Sequence, residues 1–180
     1  IGGLAGMNQA GASITASYAT GSVTGARANI GGLVGHNAGA VTQSYAAGAV
    51  SGAANIGGLV GRNAGSIENA YATGAVAASG SSDPQVAHEN LGGLIGWSEA
   101  GSTASHVYSS GAVAGNGFAG GTVGGLVGRA DAGAGVAYGF WNYETAGTML
   151  DRGGARGLTT AEMRQQGSFN DYNFNSVWRI

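Results

Sequence analysis

The sequence predicts an all-β protein: a parallel β-solenoid (β-helix) of about five coils, followed by a C-terminal capping segment that contains one short helix. Three observations lead there. An apolar-Gly-Gly-Leu element recurs at Ile1, Ile30, Ile56, Leu91 and Val123. Each copy is followed, at a nearly constant offset, by a tyrosine: Tyr18, Tyr45, Tyr71, Tyr108 and Tyr138. Between these marks lie short apolar stretches separated by Gly, Asn and Ser, the pattern of strands and turns, with no persistent helical stripe. The shortest unit, from Ile30 to Asn55, holds only a handful of aliphatic side chains. It cannot offset its own ordering entropy, so units must stack on like neighbours.

Residues 1–139 form the expected repeat region and residues 140–180 the expected cap. Within a unit, "NIGGLVGHNAGAV" (29–41) and "NIGGLVGRNAGSI" (55–67) show the arrangement best. Ile30 and Leu33, three apart, would face opposite sides of a regular strand. A bend at Gly31-Gly32, where glycine accepts unusual dihedrals, turns both inward. Asn29, Asn55 and Asn90 then stack as one ladder, and Asn8, Asn37 and Asn63 as another, since asparagine suits left-handed turns and side-chain hydrogen bonding along a stack. Spacing alone leaves open whether the tyrosines point in or out.

The closing segment holds Trp141, Trp178, Phe140, Phe169, Phe174, Met149, Leu158 and Met163, enough to shield a terminal coil. There "TTAE" sets Thr159 as N-cap and Glu162 three positions on, a capping box for a helix around 160–166. Nothing comparable guards Ile1, so the uncapped first coil is a candidate for end-to-end self-association. The chain opens in mid-repeat and reads as a segment of a longer protein.

The composition narrows the function. With 38 glycines, one proline, no cysteine and 9% charged residues, the chain suits neither a disulfide framework nor a Cys-based metal site. All seven basic residues are arginine and the net charge is −2, so no basic stripe is available for nucleic acid. The apolar runs are far too short for a spanning helix, and no membrane insertion is expected. The three histidines, His36, His88 and His106, follow no metal-ligand spacing, and the nine carboxylates are scattered rather than set in adjacent coils. "GNGFAG" (115–120) matches a dinucleotide-binding glycine pattern but no helix follows it. No enzymatic activity, metal or cofactor is therefore expected.

Two features depart from the repeat. The residue after each "GLVG"-type element varies: Met7, His36, Arg62, Trp97 and Arg129. On one face of a stack, His36, Arg62, Trp97 and Arg129 form a candidate ligand strip, with an exposed indole to stack on sugar rings and arginines to hold acidic groups. The alternative is that bulky or charged residues protect a flat, small-residue surface from aggregation. The insertion "AASGSSDPQVAHEN" (77–90) carries the only proline together with Asp83, His88 and Glu89, a second candidate binding feature.

The residues "GGLVGxNxGxVxxSYAxGxV" resemble the GLUG motif of bacterial secreted repeat proteins. These include filamentous-haemagglutinin-like exoproteins and non-catalytic parts of some immunoglobulin A peptidases. The resemblance covers residues 1–140 as five copies, and the stretch ending "FNSVWRI" resembles the segment that closes such repeats. It implies a secreted or bacterial cell-surface scaffold and no single activity. The residues themselves, through the Trp97 column and the 77–90 insertion, point to a structural and adhesive role with a glycan or protein of a host or neighbouring cell as partner. An accessory domain of a secreted protease is an alternative. So is an ice-binding solenoid using Thr20, Ala47, Thr73 and Ser110 beside Thr24, Ser51, Ala77 and Ala114.

Overall fold

The computed structural model of the protein describes residues 1–79, 90–115 and 122–178. Within these the chain is mostly strand, organised as three parallel sheets that it visits in rotation. The first sheet holds Ala5–Asn8, Val34–Asn37, Val60–Asn63, Ile95–Ser98 and Val127–Ala130 in that order. The second runs from Ser13–Thr15 through Ala40–Thr42, Ser66–Ala72, Thr103–Ser109 and Gly135–Asn142 to Arg156–Leu158. The third is built on Val23–Gly31 and Val50–Gly57, each later coil adding two short strands.

Every strand of the first sheet pairs with its counterpart one repeat away. Val34 lies opposite Val60, Val60 opposite Ile95, and Ile95 opposite Val127, so the register advances by one sequence repeat at each step, whatever that repeat's length. The arrangement fits the wound, stacked form that the repeat implies. One apolar column fills the interior: Ile30, Leu33, Ile56, Leu59, Leu91, Leu94 and Leu126 are each 0% exposed. Ile30 and Leu33 thus both face inward, as the spacing required.

The asparagine ladders form where the sequence puts them. Asn8 Nδ2 donates to Asn37 Oδ1 at 2.8 Å and Asn37 Nδ2 to Asn63 Oδ1 at 2.8 Å, all three buried. In the other ladder Asn55 Nδ2 donates to Asn29 Oδ1 at 2.8 Å and Asn90 Nδ2 to Asn55 Oδ1 at 2.6 Å. Asn29 and Asn55 also carry the left-handed turn, with φ of 61° and 48°.

The glycine pair acts differently from the expectation. Neither Gly31 nor Gly32 has positive φ. What they supply is room. A Cβ on Gly57 would sit 2.7 Å from the Gly96 nitrogen, and one on Gly58 would collide with the Gly93 carbonyl, both backbone groups of the next coil. Adjacent coils therefore touch backbone to backbone at this corner, and the asparagine two residues before the pair carries the left-handed turn.

The last expected tyrosine also moves. Tyr138 lies beside His106, whereas Phe140 pairs with Tyr108 and takes the tyrosine's place in the fifth coil. The turn into the second sheet explains the shift. It spans 9–12, 99–102 and 131–134 in the first, fourth and fifth coils, but only 38–39 and 64–65 in the second and third. The long form includes a left-handed glycine, Gly11, Gly101 or Gly133. In the fifth coil the column therefore passes Tyr138 and falls on Phe140.

Beyond Asn142 the chain closes the first sheet's last strand with side-chain and backbone bonds. Asp151 Oδ1 accepts from the Leu126 and Val127 amides at 3.1 and 2.7 Å, and Oδ2 from Gly153 and Ala155 at 2.8 and 2.9 Å. Trp141 packs over Gly125 at the end of the apolar column. The helix expected around 160–166 is instead a 3-10 turn, Glu162–Arg164, followed by a second, Gln166–Ser168. The capping box itself is made: Thr159 N donates to Glu162 Oε2 at 2.8 Å and Glu162 N to Thr159 Oγ1 at 3.1 Å. Gln165, in extended conformation, ends the turn, and none of its residues is buried to reward a longer helix. The one α-helix among the described residues is Tyr143–Ala146, capped by Asn142 and ended by left-handed Gly147.

Candidate functional site

The variable column lies on the first sheet. Met7, His36, Arg62, Trp97 and Arg129 occupy the same rank in successive strands, register neighbours throughout. The structure therefore brings His36, Arg62, Trp97 and Arg129 together, but not as an open platform. The guanidinium carbons of Arg62 and Arg129 each lie 4.8 Å from the centroid of the Trp97 ring, one from each neighbouring coil. Such stacking is worth about 0.5–1 kcal/mol per contact at an exposed site. A sugar ring could reach the indole face only by displacing an arginine. This corrects the expectation of an exposed indole free to stack on sugars: in-register packing forces the neighbours onto both faces.

The arginine charges are also committed. Arg62 forms an ion pair with Glu99, and Arg129 with Asp131 at 3.0 Å. Each carboxylate comes from the turn that follows a strand of this sheet. His36 sits between Met7 and Arg62, and burial, with the Arg62 charge second, holds its pKa below the usual histidine value against the opposing pull of Glu99. The column is thus a self-neutralised ladder, consistent with protection of a flat face. Asp83, His88 and Glu89 lie outside the described residues, as does most of the 115–120 glycine stretch.

The aromatic surface lies elsewhere. On the outside of the second sheet the rings of Tyr18, Tyr45, Tyr71 and Tyr108 stack in parallel, with centroids 5.2, 4.9 and 4.9 Å apart. The tyrosines point outward, and the C-terminal segment folds back over the far end of their ladder. Trp178 packs against Tyr71 and Tyr108 at 6.0 and 5.6 Å. Phe140, next in register, leaves the parallel stack and meets Phe169 edge-on at 5.2 Å. Leu158, Phe169 and Tyr172 complete this second apolar cluster.

Trp178 lines two cavities. A groove of about 390 Å³ runs along Tyr45, Tyr71 and Tyr108, flanked by Gln43 and Asn69. Gln43 and Asn69 occupy a second left-handed corner, with φ of 49° and 53°. A smaller cavity of about 200 Å³ opens between Tyr108 and Ser110 on the sheet and Met163, Phe169, Tyr172, Phe174 and Trp178 on the returning segment. Burial, and after it the neighbouring tyrosine, raises the hydroxyl pKa of both Tyr108 and Tyr172, so both stay neutral. The repeat could not reveal these cavities, because much of their walls comes from the non-repetitive 159–178 stretch. The one usable signal was the concentration of aromatic residues there.

Among the described residues no group of three His, Cys, Asp or Glu side chains is placed to hold a metal ion. Nor is any helix among them long and apolar enough to cross a membrane.

Fold and surface together define a repeat domain of stacked parallel β-strands. Within it, the family model of the GLUG motif matches residues 1–24 and 52–77. Each matched stretch takes in strands of all three sheets. No curated protein and no solved structure matched the chain.

Proposed function

We propose that this chain is a non-catalytic parallel β-solenoid segment of a bacterial secreted or cell-surface protein, presenting a surface that binds a glycan or a protein. The supporting observation is the groove of about 390 Å³ beside the stacked tyrosines, where ring edges and two primary amides line one strip. Amides offer paired donors and acceptors and the rings offer apolar contact, a mixture suited to hydroxyl-rich or peptide ligands. Ice ordering fits less well. The hydroxyl ladders Thr15–Thr42 and Thr24–Ser51 span two coils each, and Glu68 and Ala77 then interrupt them.

The test is binding of the purified chain to a broad glycan array and to immobilised host extracellular proteins, beside Tyr45→Ala and Trp97→Ala variants. Binding that Tyr45→Ala abolishes and Trp97→Ala spares, with circular dichroism unchanged, is the expected result. Absence of binding to every probe would leave a spacer as the function.

A further inference from the structure

Resting on that reading, we infer that the cavity beneath Trp178 is a recognition pocket for a single neutral pyranose ring of a glycan whose chain continues along the tyrosine groove. Four observations converge on it. Its volume of about 200 Å³ lies below the roughly 300–1,000 Å³ of sites for drug-sized ligands and suits one ring. Its walls are ring faces and edges from Tyr108, Phe169, Tyr172, Phe174 and Trp178, which complement the weakly positive C–H faces of a sugar.

The lining carries no charged side chain, so an acidic sugar would lose its hydration without a counter-charge. Trp178 is 8% exposed, lines both cavities, and its Nε1–H is buried with no acceptor among the described residues. That orphaned donor needs an oxygen acceptor brought within its reach, which a sugar hydroxyl or ring oxygen supplies and a hydrocarbon ring does not.

Adjacency of the cavity and the groove decides between a sugar and another flat neutral molecule. The cavity and the groove share Tyr108 and Trp178, and the groove carries the Gln43 and Asn69 amides. A ligand that fills the cavity and extends outward therefore meets ring edges and amides in succession. That sequence of surfaces suits a chain of sugar units, while a lone aromatic compound would use neither amide.

The test uses the whole chain and saturation-transfer NMR with methyl glycosides of glucose, galactose and N-acetylglucosamine, with glucuronic acid and p-cresol as contrasts. Two variants separate pocket from fold. Ser110→Tyr fills the cavity without removing a wall, and Trp178→Phe keeps an aromatic ring but removes the N–H. At least one neutral glycoside is expected to give a signal that Ser110→Tyr abolishes. Trp178→Phe should weaken it by roughly tenfold, the loss of one hydrogen bond of ordinary strength. Glycan binding insensitive to both variants would overturn the pocket and leave the broader reading standing. Selective binding of glucuronic acid, or of p-cresol alone, would overturn the pocket too. If no glycan binds in any format, the pocket and the glycan-binding reading fall together, and protein binding on the immobilised panel remains as the separate check.

Discussion

A methyl group at Gly96 tests the stacked-coil account against an internal control. Gly6, Gly35, Gly61, Gly96 and Gly128 hold the same rank in successive strands of the first sheet, but their surroundings differ. A Cβ on Gly96 would lie 2.5 Å from the Asn55 carbonyl carbon and the Ile56 nitrogen, and 2.6 Å from the Gly61 carbonyl oxygen. All three are backbone atoms, two of them at a left-handed corner, and none can swing aside as a side-chain tip can. A Cβ on Gly6 would meet nothing within 4 Å. Neither glycine has positive φ, so alanine carries no dihedral strain at either site.

Gly96→Ala must therefore push a backbone corner by roughly 1 Å, at a cost at or above the upper end of the roughly 1–3 kcal/mol usual for overpacking. Gly6→Ala should be neutral, or stabilising by about 0.4–1 kcal/mol through the unfolded chain. Urea denaturation followed by circular dichroism reads both. Equal midpoints for the two variants, or a Gly96→Ala protein within about 0.5 kcal/mol of the parent, would refute the close backbone contact on which the coil packing rests.

The remaining predictions concern the ladders, the closed end and pH. Asn63→Ala removes the acceptor for Asn37 Nδ2 and should cost about 1–3 kcal/mol, read by thermal melting; an unchanged melt would remove the buried ladder as a stabilising element. Asp151→Ala strips the acceptor from four backbone amides and exposes the edge of the first sheet, so we expect a loss of roughly 2–3 kcal/mol and concentration-dependent association in sedimentation. His36 resists protonation in the folded state, so the unfolded chain binds its proton first as pH drops. Stability should therefore fall from about pH 6.5 down to the lower folded value, and His36→Gln should flatten that step in pH-dependent melts. Glu144 and Glu162, whose pKa values are lowered mainly by backbone hydrogen bonds from Thr160 and Thr159, add a second decline in the same direction below about pH 4.5.

The repetitive part of the fold was legible because each coil reports on the next. Asn8, Asn37 and Asn63 could be read as one ladder since identical residues in equivalent places stack in a parallel array. The rank of Met7, His36, Arg62, Trp97 and Arg129 was readable for the same reason. What a single strand's sequence does not carry is the identity of its lateral neighbours' rotamers, and so Trp97 looked exposed although two guanidiniums cover it. The role of Gly57 and Gly58 was hidden in a similar way. Glycine marks both left-handed turns and close contacts, and only the third dimension separates the two. Phe140 was missed because a longer turn before it shifts the column. The aromatic cavities depend on where the 159–178 stretch folds back, and that position follows from packing on Tyr71 and Tyr108 rather than from any local pattern.

The most direct test of the account is the register of neighbouring coils, and the absence of native cysteine makes it clean. The Thr24 and Ser51 hydroxyls lie 3.1 Å apart in adjacent strands of the third sheet, while Ala77 is one coil further on. Thr24→Cys with Ser51→Cys should form a disulfide on mild oxidation, because strand-neighbour separations fall within the roughly 4.4–6.8 Å Cα range that a disulfide spans. Thr24→Cys with Ala77→Cys should remain reduced. Ready cross-linking of the second pair, with none of the first, would contradict the one-repeat-per-coil stacking from which every other conclusion follows.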